Sequence, residues 1–465
     1  MVFLKKIKSE YLLLVFILVI CFFMRFYHIE QRVGFSWDEE TIAWKVKSIL
    51  VDHKLTLIGM KAGEFAIFTG PALIYILCFV YLIFSFNPIG VVISAAVLSL
   101  VTTILFYLLG SRIFSKQIGL MSALVFGGSY FLSNYDRSWL LFSFFIISLL
   151  IFYFLYMSLK TKKITFLVFL SLFTGYSFQV HITAIFFPVI IVASFLLLRP
   201  KFKLKAYFIS IIIFLISFIP IILFDLRHDF LNTRGILKLL VSSGQTHYLV
   251  NAKKLVTLLF ENSAAVFMPN FPKIALTISA FLLIFILVSS KLLKEAKVII
   301  LLWLLIPLFL LLPYKNNIPE YYLMATFPVL VFLGGIFGDC LFKFNRIIFV
   351  LLIVIFLGFN LKSRFSEPPD PYGLQVKNKI INEICNDAGN QNFNVYYFSR
   401  LGLDNGFSYL FWYKKSGFSE TEAVKKYTIM MPKEYYPQKA DFSAGYIGVL
   451  KKQLPGARQI VFDKI

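Results

Sequence analysis

The chain has 465 residues, 59% of them hydrophobic and 15% charged, and its mean hydropathy is +0.80. Soluble domains carry about 45–50% apolar and roughly 25% charged residues, so a soluble globular protein is excluded. Lys and Arg outnumber Asp and Glu by 46 to 24, giving a formal charge of +22. Many of these cations fill short loops between apolar runs, which is the positive-inside pattern with added affinity for anionic head groups; it does not point to a nucleic-acid partner.

Apolar runs long enough to cross a hydrocarbon core of roughly 30 Å recur between residues 11 and 360. The first, 11–27, has no small-residue cleavage site after it and reads as a retained span. Further crossings are expected at 89–110, 117–133, 140–158, 164–180, 182–198, 206–224, 272–290, 298–313, 321–341 and 347–362, about eleven in all. The basic loops Lys5-Lys6-Ile7-Lys8, 112–116, 160–163, 199–205, 291–297 and 343–346 then all fall in the cytoplasm. The segment 71–86 is apolar but short, and counting it as a crossing would invert every later loop. It is expected to be a helix in the outer interface. The N-terminus is cytoplasmic in this topology and the C-terminal tail extracytoplasmic, in an integral, multi-pass protein of the plasma (inner) membrane.

The same topology sorts the acids. Glu30, Asp38, Glu39, Glu40, Asp52, Glu64, Asp136, Asp225, Asp229, Glu261 and Glu320 fall outside; before the tail, only Glu10, Glu295 and Asp339 fall inside. The organisation expected is a membrane core over 1–365, with an outer loop 28–70 and the interfacial helix 71–86, followed by an outer α/β domain over 366–465. In that tail, 378–388 and 407–415 have helical character, and Val395-Tyr396-Tyr397-Phe398 and Tyr427-Thr428-Ile429-Met430-Met431 read as strands. Cys21, Cys78 and Cys340 lie in apolar segments and Cys385 stands alone in the tail, so no disulfide framework is implied.

The densest chemistry follows the first span, in Arg25-Phe26-Tyr27 and then Phe35-Ser36-Trp37-Asp38-Glu39-Glu40. A carboxylate at head-group depth is partly desolvated, which raises its pKa toward a value useful for accepting a proton. The competing reading is an interfacial loop with belt aromatics and acids that start a helix.

These residues resemble the opening of the GT-C glycosyltransferases, in the branch of protein O-mannosyltransferases and bacterial aminoarabinose transferases (family 39). The order of later motifs fits as well. Thr69-Gly70-Pro71-Ala72-Leu73-Ile74-Tyr75 resembles the segment that opens an interfacial helix, and Gly110-Ser111-Arg112-Ile113-Phe114 a cytoplasmic loop of that family. Ser133-Asn134-Tyr135-Asp136-Arg137-Ser138, Phe224-Asp225-Leu226-Arg227-His228-Asp229-Phe230 and Pro319-Glu320-Tyr321-Tyr322-Leu323 are similar to its outer loops. The likeness covers about the first 345 residues.

It implies an enzyme, a hexosyl- or pentosyltransferase, that moves a sugar from a polyprenyl-phosphate donor to a lipid, glycan or protein acceptor on the outer face, inverting the anomeric centre. Asp38 is then the general base, with Glu39 positioning the acceptor or standing in for the base. Arg137, Arg227, His228, Lys315 and Tyr321 are the candidates for the donor's phosphate and lipid. Each basic candidate has a plainer alternative: a surface pair of Arg137 with Asp136, a self-neutralising turn of Arg227 and His228 with Asp225 and Asp229, and a loop lysine at 315. Lys61 and Glu64 lie where relatives make polar contacts, but the surroundings Lys61-Ala62-Gly63-Glu64 depart from the family pattern. His181, in Gln179-Val180-His181-Ile182-Thr183, is either functional or a packing histidine satisfied by Gln179 or Thr183. No His/Cys/Asp cluster has metal-ligand spacing and no tightly bound cofactor is expected, although carboxylates with an open position could hold Mg²⁺ or Mn²⁺. The other classes of function are a flippase or transporter, and a polymerase or ligase of lipid-linked saccharides. Acids at the outer ends of spans and the lack of an internal repeat count against a transporter.

Overall fold

The computed structural model describes residues 9–62, 66–241, 248–269, 293–314, 317–399, 406–421, 423–436 and 438–462. The expected crossing 272–290, the first basic loop, and the candidates Glu64 and Lys315 lie outside these residues. The chain divides into two compact units, one of Met1–Tyr27, Leu57–Leu73 and Ala95–Ser366, the other of His28–Thr56, Ile74–Ser94 and Glu367–Ile465.

The first unit is helical, and most of its helices fall on the apolar runs; Leu231–Val241 and Tyr248–Phe267 lie between expected crossings. Ser9–Phe26, Ile89–Ile113, Trp139–Thr161 and Arg346–Phe365 are continuous. Among the described residues, five helices are long and apolar enough to cross a membrane, six if one bent pair is a single span. The protein is an integral membrane protein. Among the described residues, four expected crossings are interrupted, and the run 182–198 opens as the 3₁₀ turn Ile182–Ile185 before Phe186–Leu198. The run 117–133 breaks at Ser129 into Lys116–Gly128 and Tyr130–Tyr135. Leu204–Ile216 and Ile219–Arg227 meet at 48°. The run 321–341 begins as a 3₁₀ helix, Glu320–Thr326, before Phe327–Phe344.

Each break needs local donors and acceptors, because lipid supplies none. At Ser129, the Asn360 Oδ1 accepts from Tyr130 N–H at 2.8 Å while its Nδ2 donates to the Phe267 and Phe356 carbonyls. At the 3₁₀ segment, the Ala325 carbonyl accepts from both Ser148 Oγ (2.6 Å) and Trp303 Nε1 (2.7 Å). The helices Lys116–Gly128 and Phe327–Phe344 pack through small residues: a Cβ on Gly335 would meet Ser122 Oγ at 2.1 Å.

A buried ion pair ties the end of the first helix to the loop after Tyr135. Arg25 Nε donates to Asp136 Oδ2 at 2.6 Å, and its terminal nitrogens donate to the carbonyls of Gly127 (2.5 Å) and Phe126 (3.0 Å). Arg364, also buried, donates to Ser133 Oγ.

The second unit contains the tail. Leu374–Ala388 buries Leu374, Ile380, Ile381 and Ile384 against the sheet side of the unit. A two-residue ladder, β1 (Lys61–Ala62) with β2 (Ile67–Phe68), belongs to the first unit. The tail strands are β3 (Phe393–Ser399), β4 (Lys425–Met431), β5 (Phe442–Ala444), β6 (Ile447–Leu450) and β7 (Arg458–Gln459), in the order β5-β6-β4-β3-β7. The pair β3 and β4 is parallel, connected through the short helix Ser408–Tyr413; the other pairings are antiparallel. All four tail elements expected from the sequence are present, three of them extended by a few residues and the helix expected at 407–415 shortened to Ser408–Tyr413. The segment expected at 71–86 is the helix Ala72–Ile83, whose 12 residues rise about 18 Å, less than a bilayer core.

Removing one member of a buried ion pair strands the other charge, at a cost of about 3–5 kcal/mol. Asp136→Ala is expected to lose that much stability in detergent, and Arg25→Met with Asp136→Leu together much less. Thermal unfolding that gave the single and double variants equal midpoints would refute this account.

Candidate functional site

Asp38, Glu39 and Glu40 open the helix Trp37–Leu50, and the three neighbouring carboxylates have three different environments. Glu39 turns back on the helix start: its Oε2 accepts from Ser36 N–H at 3.1 Å and from Ser36 Oγ at 2.8 Å, as the third residue of a capping box does. Glu40 is 7% exposed. It accepts from Gly406 N–H (2.6 Å), Ser408 Oγ (2.9 Å) and Tyr409 N–H (2.9 Å), where the tail helix Ser408–Tyr413 begins. Asp38 is exposed and makes no hydrogen bond or ion pair among the described residues. The surrounding protein, and then the Glu39 charge beside it, push its carboxyl above the ordinary range.

The helix is held on the tail by more than Glu40. Before it, three carbonyls between the end of the 3₁₀ turn Ile29–Gln31 and the helix accept from the tail. Gln31 accepts from Asp370 N–H (2.8 Å), Val33 from Leu374 N–H (2.7 Å), and Phe35 from Lys377 Nζ (2.5 Å). One turn after Glu40, Trp44 Nε1 donates to Ser408 Oγ at 3.1 Å, and its ring packs on those of Tyr409, Trp412 and Phe462. Only glycine fits at 406: φ is +92°, and a Cβ there would meet the Phe35 carbonyl at 2.1 Å. Burial pushes the Glu40 carboxyl up, against the pull of its three donors and of the Lys377 ammonium. Burial also pushes Lys377 down, to about 8.

In the first unit, the other candidates separate. Asp136 pairs with Arg25, so the surface pair with Arg137 that the sequence allowed is not what engages it. Arg137 is half-buried beside it. The turn at 225–229 is not self-neutralising either. The Asp225 carboxylate instead accepts from Asn232 N–H (2.7 Å), Thr233 N–H (3.0 Å) and Thr233 Oγ1 (2.6 Å), capping the helix Leu231–Val241. Arg227 is exposed with no ion pair among the described residues, and His228 stacks on Phe224 with Nδ1 2.8 Å from the Phe224 carbonyl. His181 is brought to Tyr321 and Tyr322, at ring distances of 6.0 and 5.8 Å. Thr183 satisfies its Nδ1, from Oγ1 at 2.7 Å and from N–H at 3.3 Å, as one of the sequence alternatives had it. Lys61 lies exposed on β1. Among the described residues, no group of three or more His, Cys, Asp and Glu is placed to hold a metal ion.

Sequence reasoning gave Glu40 and Lys377 no role. The available signal was helical spacing: Glu40 and Trp44, four apart, share the face opposite Asp38.

With this geometry described, the chain can be set beside known proteins. The family model for dolichyl-phosphate-mannose-protein mannosyltransferase matches residues 69–224. No curated protein sequence matches the chain. The fold resembles that of ArnT from Cupriavidus metallidurans bound to undecaprenyl phosphate, at TM-score 0.62 and 11% identity over 94% of this chain and 97% of that one. The apo state of the same ArnT gives 0.61, with the same identity and coverage. The apo Archaeoglobus fulgidus oligosaccharyltransferase gives 0.53 at 12% identity, over 94% of this chain and 62% of that one. The chain therefore shares the fold of the ArnT structures, as the sequence motifs implied.

Glu40→Ala leaves two buried backbone donors and a hydroxyl unsatisfied, at about 1–3 kcal/mol each. The variant is expected to lose about 3 kcal/mol or more in denaturant or thermal unfolding, and an unchanged midpoint would show that the clamp contributes nothing.

Proposed function

We propose that the protein is an inverting glycosyltransferase that moves a sugar from a polyprenyl-phosphate donor to an acceptor on the outer face of the membrane, with Asp38 as general base. The observation that carries this reading is the contrast among three adjacent acids. Glu39 and Glu40 are committed to hydrogen bonds within the protein, and Asp38 alone is exposed and unpaired, with a raised proton affinity. The fold supports the donor class, since one ArnT structure that it resembles was solved with undecaprenyl phosphate.

The chemistry follows from those roles. The acceptor hydroxyl gives its proton to the Asp38 carboxylate as its oxygen attacks the anomeric carbon. The bond from that carbon to the phosphate oxygen breaks, and polyprenyl phosphate leaves with an added negative charge that cations must offset. Arg137, Arg227, His228 and Lys315 are the candidates for that task, with Tyr321 as a hydroxyl donor. One displacement inverts the anomeric centre. Glu39, anchored to Ser36, fits a role in holding the helix start better than one in deputising for the base. The N-terminus is cytoplasmic in this reading, and Asp38 and the tail are extracytoplasmic. No nucleotide is required, because the sugar arrives already activated.

Asp38→Asn is expected to keep fold and stability, since it removes a desolvated charge next to Glu39, and to lower turnover by about 10²–10⁴-fold. The base works only when ionised. With its carboxyl raised, activity should fall on the acid side at a pH above the ordinary carboxylate range. Mass spectrometry of purified protein given several short-chain polyprenyl-phosphate sugars tests both points. Inertness toward every donor, or full activity of the Asn variant, would overturn the reading.

A further inference from the structure

Two turns beyond Asp38, on the same helix, lies a lysine that no role above absorbs. Lys45 is 9% exposed, and among the described residues it makes no hydrogen bond, ion pair or ring contact. Its neighbour Lys47 shows what a satisfied lysine looks like here: Lys47 Nζ sits 2.7 and 2.8 Å from the two Asp52 oxygens and over the rings of Trp44 and Trp412. Burial depresses the proton affinity of Lys45, and no neighbouring charge restores it. A buried ammonium without a counter-charge is costly, and an anion arriving beside it would relieve that cost.

Its position identifies the anion. Residues seven apart on a helix return to nearly the same face, so Lys45 shares a face with Asp38 and Ile42. Glu40, Trp44 and Lys47 occupy the opposite face, with Glu40 and Trp44 hydrogen-bonded to the tail. Seven residues rise about 10 Å. An in-line displacement, from the base through the acceptor oxygen and the anomeric carbon to a cation on the leaving phosphate, spans a comparable length of about 10 Å. Helical Cα–Cβ bonds tilt toward the N-terminus, so the Lys45 stem starts out in the direction of Asp38. An ammonium suits a phosphate as a compact point charge.

We propose that Lys45 is a binding residue for the phosphate of the polyprenyl-phosphate substrate, so that one helix carries both the base and a cation for the leaving group. This rests on the transferase reading, and the test separates the two. The probe is undecaprenyl phosphate, titrated into the full-length protein in nanodiscs and followed by thermal shift. Lys45→Met should melt at or above the wild-type temperature in the absence of probe, since a buried lone charge is gone, and should bind the probe at least 10-fold more weakly. Lys45→Arg should recover most of that binding. In transfer assays, Lys45→Met should raise the donor KM or lower kcat by at least 10-fold.

Three results would overturn the inference: wild-type affinity in Lys45→Met, a lower melting temperature of that variant without probe, or an equal response to phosphatidylglycerol in place of undecaprenyl phosphate, which would make bulk head groups the ligand. If the wild type transfers sugar and Lys45→Met does so equally well, this inference falls and the transferase reading stands. If undecaprenyl phosphate binds through Lys45 and no sugar is ever transferred, the inference stands and the transferase reading falls. A wild type that neither binds the probe nor transfers would sink both.

Discussion

A buried carboxylate has to be saturated with donors, and the way Glu40 meets that requirement sets the geometry of the helix Trp37–Leu50. Its three donors come from a four-residue stretch of the tail, residues 406–409. Once they are engaged, the helix cannot rotate about its axis without stranding a charge and three polar groups. Asp38, two residues earlier, is thereby turned to the other side. The segment before the helix adds translational restraint, because the carbonyls of Gln31, Val33 and Phe35 each accept a hydrogen bond from the tail. The tail is thus built into the support of the candidate base. The compact unit that contains it also takes in residues 28–56 and 74–94.

The same constraint, that polar groups away from water must find partners, accounts for the charges in the helical unit. Arg25 gives three hydrogen bonds, one of them to Asp136, and Asp225 gathers three donors at the start of the next helix. Asn360 and Trp303 do comparable work with neutral groups where the spans break. Asp38 and Arg227, both exposed, and the buried Lys45 make no hydrogen bond or ion pair among the described residues. The proposed roles of Asp38 and Lys45 rest on that lack of a partner within the protein. That contrast carries more weight than the density of acids in the 38–40 motif, two of whose three members are structural.

Much of the architecture was legible in the sequence. Apolar runs fixed where the membrane helices lie, because a lipid-facing helix must be apolar over its whole length. Alternation and helical spacing located the tail's helices and strands. What the sequence could not reveal were the interruptions at Ser129, at 217–218 and at 320–326. These depend on hydrogen-bond partners contributed by distant parts of the chain, such as Asn360 and Trp303.

For the site, the local sequence placed three consecutive carboxylates just after the first span, in an outer loop or at a helix start, and did not delimit the helix Trp37–Leu50. Which face would be buried, and therefore which acid would be left exposed, was decided only by tertiary structure. The residues that settle it, Gly406, Ser408 and Tyr409, are separated from Glu40 by more than 360 positions. A carboxylate's role depends on the donors and the dielectric around it, and both are properties of the packed structure rather than of the segment that carries the acid.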